Sequence, residues 1–156
     1  MEETSKPRGR LIKRIVLGLV GLAVLGFLAI QLVPVDRSNP PVVSEPNWDS
    51  PETRALAQRA CFDCHSNETK WPWYSYIAPV SWTVSRDVQY GRRVLNFSDW
   101  ANVRGEGRSA GEMAEAISRG FMPPSIYTRQ HPDAVLTPAE RQALIDGLQA
   151  TVSQSQ

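Results

Sequence analysis

The 156-residue chain contains only two cysteines and two histidines, and it lacks any clear run of alternating apolar and polar residues. Without that alternation an extended β-sheet is excluded, and an all-α fold is favoured. With two cysteines and two histidines, the chain offers few ligands for a structural zinc site, which uses four ligands and usually two cysteine pairs. The formal charge is only +1. No basic surface for nucleic acid is therefore indicated, and nucleic acid is not expected as a partner.

Charge and hydropathy are uneven at the N-terminus. An uncharged run, Ile15–Val33, follows five basic side chains: Lys6, Arg8, Arg10, Lys13 and Arg14. As a helix these residues would span about 28 Å, close to one hydrocarbon core. The run is longer than a usual signal-peptide core and no clear Ala-x-Ala site follows, so a retained anchor is favoured over a cleaved signal. The basic residues predict that residues 1–14 are cytoplasmic and that the chain after Val33 lies outside.

The rest of the chain divides by composition. Residues 34–47 contain four prolines and predict a semi-rigid spacer that holds the next domain away from the lipid. Residues 48–152 carry helix signals and are long enough for one small helical domain. Residues 153–156 are expected to be a disordered tail.

Helix-start signals recur in this domain. Ser50 precedes Pro51, Ser109 precedes Glu112 by three residues, and Thr137 begins the capping box Thr-Pro-Ala-Glu. Such residues accept hydrogen bonds from the free N–H groups of a first helical turn. A further helix is predicted over residues 79–93, where Val80, Val84 and Val88 would share one face.

The stretch WPWYSYIAPVSW holds five aromatic residues: Trp71, Trp73, Tyr74, Tyr76 and Trp82. Most of them are expected in the core, as walls around an apolar group. A membrane-interface belt is the less favoured interpretation, because the proline-rich spacer intervenes.

The two cysteines stand together in the motif Cys61-Phe62-Asp63-Cys64-His65. One interpretation is a zinc site, but His131 is the only other histidine, and the adjacent Cys64 and His65 fit poorly on one tetrahedron. A second is a thioredoxin-like dithiol switch, which needs a strand leading into the pair and a parallel sheet around it. The absence of strand patterns disfavours that interpretation.

The third interpretation is covalent haem attachment, for which Cys-x-x-Cys-His is a known signature. Each thiol can add to one of the two vinyl groups on a haem edge, and the next residue then lies beneath the ring with an imidazole nitrogen for iron. Export agrees with this interpretation, since unmodified neighbouring thiols outside the cytoplasm would tend to oxidise. We therefore expect Cys61 and Cys64 to bind haem and His65 to bind its iron.

Three segments resemble class I c-type cytochromes: SPETRALAQRACFDCHS their N-terminal helix, GFMPPS their methionine loop, and LTPAERQALIDGL their C-terminal helix. More narrowly, CFDCHSNETKWPWYSYIAPVSW, with NFSDW and MPPSIY, is similar to a bacterial haem-binding domain family defined around Cys-x-x-Cys-His. The resemblance covers nearly all of residues 48–151. It implies a small cytochrome c-like helical domain with one covalent haem c, attached through Cys61 and Cys64, with His65 as proximal ligand.

The sixth iron ligand is predicted from position in the chain. Met122 stands in a loop between Gly120 and Pro123-Pro124, where a thioether could face iron from the side opposite His65. Class I cytochromes carry their methionine in a similar loop. Met113 is expected to fill the core of a short helix instead. His131, in a polar loop, is the alternative ligand.

These features together predict a membrane-anchored single-haem cytochrome that transfers one electron at a time outside the cytoplasm of a bacterium. Its redox partners are not indicated by the sequence. The alternative is a haem enzyme of peroxidase type, or a gas or redox sensor, whose distal site is open or can open. A non-enzymatic electron carrier is favoured, because no side-chain constellation supports hydrolysis or group transfer.

Overall fold

The structure is a computed structural model that describes residues 6–103 and 109–154. Among these residues it is mostly helical and holds no strand, which confirms the predicted all-α fold. The parts of the expected N-terminal segment and C-terminal tail before residue 6 and after residue 154 lie outside the described residues. The helices are α1 (Lys6–Ile30), α2 (Pro51–Ala60), α3 (Phe62–His65), α4 (Val80–Val94), α5 (Ala110–Ser118), α6 (Ser125–Thr128) and α7 (Pro138–Gln154).

Helix α1 begins among the basic residues and ends at Ile30, earlier than the expected boundary at Val33. Its segment Gly9–Ile30 comprises 22 residues with a mean hydropathy of 2.2, and none of its most apolar stretch is buried against the protein. This length corresponds to about 33 Å of helix. By length and composition, α1 is able to cross a membrane.

Residues 31–45, here called the strap, lie along the helical domain instead of projecting as a free spacer. The carbonyl of Asp36 accepts a hydrogen bond from the Ser85 hydroxyl at 2.7 Å, and the Asn39 amide donates to the Thr69 carbonyl at 2.9 Å. Proline excludes helix from such a segment, but an extended chain keeps carbonyl groups that side chains of the domain can use. The stand-off role expected for residues 34–47 is therefore not what the structure shows.

Arg92 of α4 holds the strap at its centre. Its guanidinium donates to the Ser38 carbonyl at 2.9 Å and to the Asn39 side chain at 2.8 Å. On the other side it donates to the Ser66 carbonyl at 2.8 Å and the Thr69 hydroxyl at 2.9 Å. One side chain thus joins the strap, α4 and the segment that follows α3.

Helices α2, α5 and α7 begin where the capping signals predict. Ser50 and Ser109 each accept a hydrogen bond from the backbone N–H three residues ahead. In α7 the box is complete, because Thr137 N–H donates to the Glu140 carboxylate at 2.8 Å and Glu140 N–H donates to the Thr137 hydroxyl at 3.2 Å. Helix α7 runs on to Gln154, so part of the expected disordered tail is helical.

The buried face of α4 differs from the prediction. Val80 is exposed and Val84 is half-buried, and the buried positions are Ser81, Ser85, Val88 and Gly91. Small residues are needed here because two backbones come close to the helix. The strap approaches Ser85, and the Cys64 backbone approaches Gly91. Valine spacing alone cannot reveal such contacts.

The expectation that the aromatic loop (residues 71–82) supplies most of its aromatics to the core is wrong. Trp73 is 75% exposed and Tyr76 is 59% exposed. The core among α2, α5 and α7 is instead built by aliphatic residues and by aromatics from elsewhere, chiefly Phe62, Phe97 and Trp100. Phe97 stacks on Phe62 with 5.6 Å between ring centroids and on Trp100 with 6.0 Å.

Candidate functional site

The Cys61–His65 motif occupies the junction of α2 and α3. The N–H of Cys61 donates to the Ala57 carbonyl at 2.8 Å, and its carbonyl accepts from His65 N–H at 2.9 Å. Residues three and four positions apart on such a turn share a face. The sequence therefore brings Cys61, Cys64 and His65 to one side of the chain.

The imidazole of His65 is oriented by two backbone carbonyls. Its Nδ1 lies 3.1 Å from the carbonyl oxygen of Gly91 and 3.1 Å from that of Leu95. Carbonyl oxygens only accept hydrogen bonds, so Nδ1 carries the proton and Nε2 keeps its lone pair. Burial lowers the pKa of His65, against the opposing effect of these two bonds, and favours the neutral ring. A neutral imidazole with a free Nε2 is the form that binds a metal.

Both thiols are half-buried and not joined in a disulfide. Burial raises the pKa of Cys61 to about 12 and, with help from the carboxylates of Asp63 and Asp87, the pKa of Cys64 to about 11. Reactive dithiols have lowered pKa values, so this environment is unlike that of a dithiol switch. Zinc gains no support either, since no group of three or more His, Cys, Asp or Glu side chains that could hold a metal ion occurs within residues 6–103 and 109–154.

A cavity of about 210 Å³ adjoins the motif, with Cys61 and His65 in its wall. The other lining residues come from the end of α4 and from α5, the loop after α5, and α7. They are mostly apolar: Val94, Leu95, Phe97, Glu112, Met113, Ala116, Ile117, Met122 and Leu148. The structure therefore brings Cys61, His65, Met113 and Met122 together around one apolar cavity.

Met113 and Met122 both line this cavity but differ in burial. Met113 is buried and belongs to the hydrophobic core, in line with its expected packing role. Met122 is 39% exposed and stands in the loop that begins at Gly120, whose φ is +72°. Its N–H donates to the Ala116 carbonyl at 3.0 Å, which ties this loop to α5. Met122 thus lies at the outer wall of the cavity that also contains His65.

His131 lies outside the cavity wall. Its Nε2 is 2.7 Å from the Tyr74 hydroxyl, and its ring stacks on Tyr127 with 4.3 Å between centroids. The Tyr127 hydroxyl in turn donates to Asp63 at 2.7 Å. In this arrangement Nε2 is occupied by Tyr74, and His131 is not among the residues that line the His65 cavity.

The comparison with protein families supplies an independent line of evidence. The model of a family described as a haem-binding domain matches residues 25–150. The chain belongs to this haem-binding domain family. Neither the curated proteins nor the solved structures provide a match. The resemblance noted in the sequence is thereby confirmed at the level of the family and of haem as its cofactor.

The residues of this haem-binding domain fit their cofactor in chemistry. An apolar wall suits the face of a macrocycle, and an imidazole with a free nitrogen suits its iron. Cys61 lies in that wall, whereas Cys64 does not line the cavity and packs against Gly91 of α4. The cavity volume of about 210 Å³ is below the ~300 Å³ at which small-molecule sites begin. Val94, Glu112 and Met122 in its wall are exposed, so the cavity reaches the protein surface on that side.

Sequence reasoning missed the groups that orient His65. The acceptors are backbone carbonyls of Gly91 and Leu95, which leave no side-chain pattern. The usable signal was Gly91 itself, since glycine inside a helix often marks the close approach of another backbone. Glu112, the one carboxylate in the cavity wall, was seen only as part of a helix cap.

Proposed function

We propose that this haem-binding protein is a single-haem c-type cytochrome, anchored in a bacterial cytoplasmic membrane by α1, that carries electrons outside the cytoplasm. The observation that carries the proposal is the Nδ1 contact of His65 with two carbonyls, which leaves Nε2 for iron beside a cavity that Cys61 and Met122 also line. Haem bound there would supply a ferrous–ferric couple.

Each residue has a distinct part in this proposal. Cys61 and Cys64 form the two thioether bonds, so that the cofactor cannot leave during its redox cycle. His65 would hold iron through Nε2, and the carbonyls of Gly91 and Leu95 orient its ring. Met122 would supply the second protein ligand to iron. A methionine ligand and an apolar wall both raise the reduction potential relative to two nitrogen ligands in a wetter site.

An open-site haem enzyme or sensor is a second candidate, favoured by one observation. Met122 is 39% exposed, so its loop has little packing to resist displacement by a small ligand. The two candidates differ in the resting state, because a carrier keeps six ligands on iron and an open-site enzyme or sensor keeps five.

Covalent attachment is tested by expressing the full chain with a haem-attachment system. The haem should stay with the polypeptide through denaturing electrophoresis and acid–acetone extraction. Replacement of both Cys61 and Cys64 by Ala should abolish this retention. Haem that extracts freely from the intact protein would show that there are no thioether bonds.

The anchor is tested on the same preparation. The protein should remain in membranes after washes with high salt and carbonate, because apolar burial rather than surface charge holds a spanning helix. Recovery of a soluble, N-terminally processed form would identify the segment as a signal peptide.

A further inference from the structure

Part of the aromatic loop presents apolar side chains to solvent. It consists of the residues Trp73, Tyr76, Ile77, Val80 and Trp82, all of them exposed. Three of these are aromatic residues with a polar atom at one edge. Tryptophan and tyrosine of this kind concentrate where one end of the ring is apolar and the other is wet, as at a membrane surface.

The strap links this surface to the end of the anchor. The side-chain oxygen of Gln31 accepts from Ala78 N–H at 2.9 Å, and its amide nitrogen donates to the Ala78 carbonyl at 3.2 Å. Gln31 follows directly after Ile30, the last residue of α1. The same amide nitrogen lies 3.0 Å from the Phe27 carbonyl in the last turn of α1. The aromatic loop therefore sits at the level where α1 ends.

A second contact supplies a positive charge at the same place. The Arg37 guanidinium donates to the Ser75 carbonyl at 3.1 Å and lies 4.5 Å from the centroid of the Tyr76 ring. An arginine beside exposed aromatic rings suits the boundary between anionic headgroups and acyl chains. The carboxylate of the nearby Asp36 accepts a hydrogen bond from the Ser38 N–H at 2.8 Å.

We propose that residues 73–82 rest in the lipid headgroup region of the bilayer that α1 crosses, as a second membrane contact of the domain. The inference depends on the anchor of the proposed function. It reverses the expectation from the sequence, because the strap folds back onto the domain and does not hold it away. The Gln31–Ala78 pair sets the position of the loop, and the exposed rings enter the interface.

The test uses the full-length haem protein in phosphatidylcholine vesicles that contain a phospholipid with a diazirine high on its acyl chain. After illumination, peptide mass spectrometry locates the lipid adducts. Adducts are expected on α1 and on the peptide with residues 73–82. Phe121, 63% exposed, and Ile126, 74% exposed, are matched apolar positions outside this surface and should stay unlabelled.

The role of the Gln31–Ala78 pair is tested by Gln31→Ala, which removes both hydrogen bonds to Ala78. Labelling of residues 73–82 should fall several-fold while labelling of α1 stays the same. Gln130→Ala, at an exposed glutamine without such a contact, should change neither. The visible haem spectrum checks that each variant is folded.

The possible outcomes distinguish failure of the second membrane contact from failure of the α1 anchor. Labelled α1 with an unlabelled aromatic loop would overturn the second contact and leave the anchor standing. Unlabelled α1 would remove the anchor and the inference together. Equal labelling of Phe121 and Ile126 would show unspecific reaction with exposed apolar side chains and would also overturn the proposal, as would a Gln31→Ala protein with unchanged loop labelling.

Discussion

The carbonyl group of Cys64 packs so closely on Gly91 that a Cβ atom at position 91 would overlap it. The positions of Cys64, His65 and Leu95 depend on this contact. It sets α4 against the turn that carries Cys64, and it brings the carbonyls of Gly91 and Leu95 to the His65 ring. A position without a side chain therefore controls the orientation of the imidazole.

Gly91→Ala is expected to destabilise the protein by about 1–3 kcal/mol, because an added methyl group in a filled space forces backbones apart. The haem spectrum should change as well, since the bonds from His65 Nδ1 would lengthen. Chemical unfolding and visible absorption measure the two effects. Gly111→Ala is the control: its Cβ would meet only the Ser109 hydroxyl at 3.7 Å, and alanine there should stabilise α5 by about 0.4–1 kcal/mol. Equal effects of both changes would refute the role of Gly91.

Met122→Ala should convert low-spin iron at least partly to high-spin, because a thioether ligand is lost. The oxidised protein should lose its weak far-red charge-transfer band, bind carbon monoxide readily when reduced, and fall in potential. Met113→Ala, in the same cavity wall, should leave the spectrum intact and cost about 2–5 kcal/mol of stability as a buried large-to-small change.

Three results would contradict this assignment. An unchanged spectrum in Met122→Ala would exclude that side chain as ligand. Loss of low-spin character in His131→Ala would move the ligand to His131, despite its contacts with Tyr74 and Tyr127. Five-coordinate iron in the unaltered protein would favour the enzyme or sensor.

Arg92→Lys should lower stability by about 1–2 kcal/mol, because an ammonium group cannot reproduce a planar fork that reaches four acceptors. The strap should then become more open to proteolysis and amide exchange. The adjacent Arg93→Lys is the control, since within residues 6–103 and 109–154 the Arg93 guanidinium has no hydrogen bond to the strap and lies 5.7 Å from the Tyr90 ring centroid. Urea unfolding and hydrogen exchange across residues 31–45 test the difference. A strap that exchanges no faster in Arg92→Lys would show that its other bonds hold it.

Glu140 makes stability depend on pH at the start of α7. The Thr137 N–H first, and then Arg59, lower the pKa of Glu140 from 4.5 to about 2. A lowered folded-state pKa means that the carboxylate stabilises the fold above pH 4.5 and loses this effect as the pH falls from 4.5 towards 2. Glu140→Gln should therefore be less stable than the unaltered protein at pH 7, with a difference that shrinks near pH 2. Urea midpoints at both pH values test this, with the exposed Glu52→Gln as control; a difference independent of pH would contradict it.

Features that depend on residues close together in the chain, such as helix starts, could be predicted from the sequence. Ser50, Ser109 and Thr137 begin helices because a cap bonds only three residues ahead, so its signal is contiguous. Cys61 and His65 were predicted as site residues for the same reason, because one turn of chain carries them, and both line one cavity. Met122 was predicted from the glycine and prolines beside it, and the structure brings it to the same cavity.

Sequence reasoning failed where contacts join distant parts of the chain. Several bonds of the strap reach distant residues, as between Asn39 and Thr69, thirty positions apart, and prolines alone suggested a free spacer. The aromatic loop was expected in the core because aromatic side chains usually bury large areas. The bonds of Gln31 with Ala78 and of Arg37 with Ser75 position that loop, and a lone glutamine at the end of an apolar run gives no such signal.

The closure of α4 over Cys64 also orders events during synthesis. In the proposed topology residues 1–14 stay in the cytoplasm and the segment after α1 emerges outside in chain order, so both thiols appear before Gly91. At about 5–20 residues per second the thiols would stay uncovered for roughly one to five seconds. Under the proposed function, this interval is when an attachment enzyme can reach the open motif. Afterwards α4 packs against the Cys64 backbone, and Cys64 is half-buried in the finished fold.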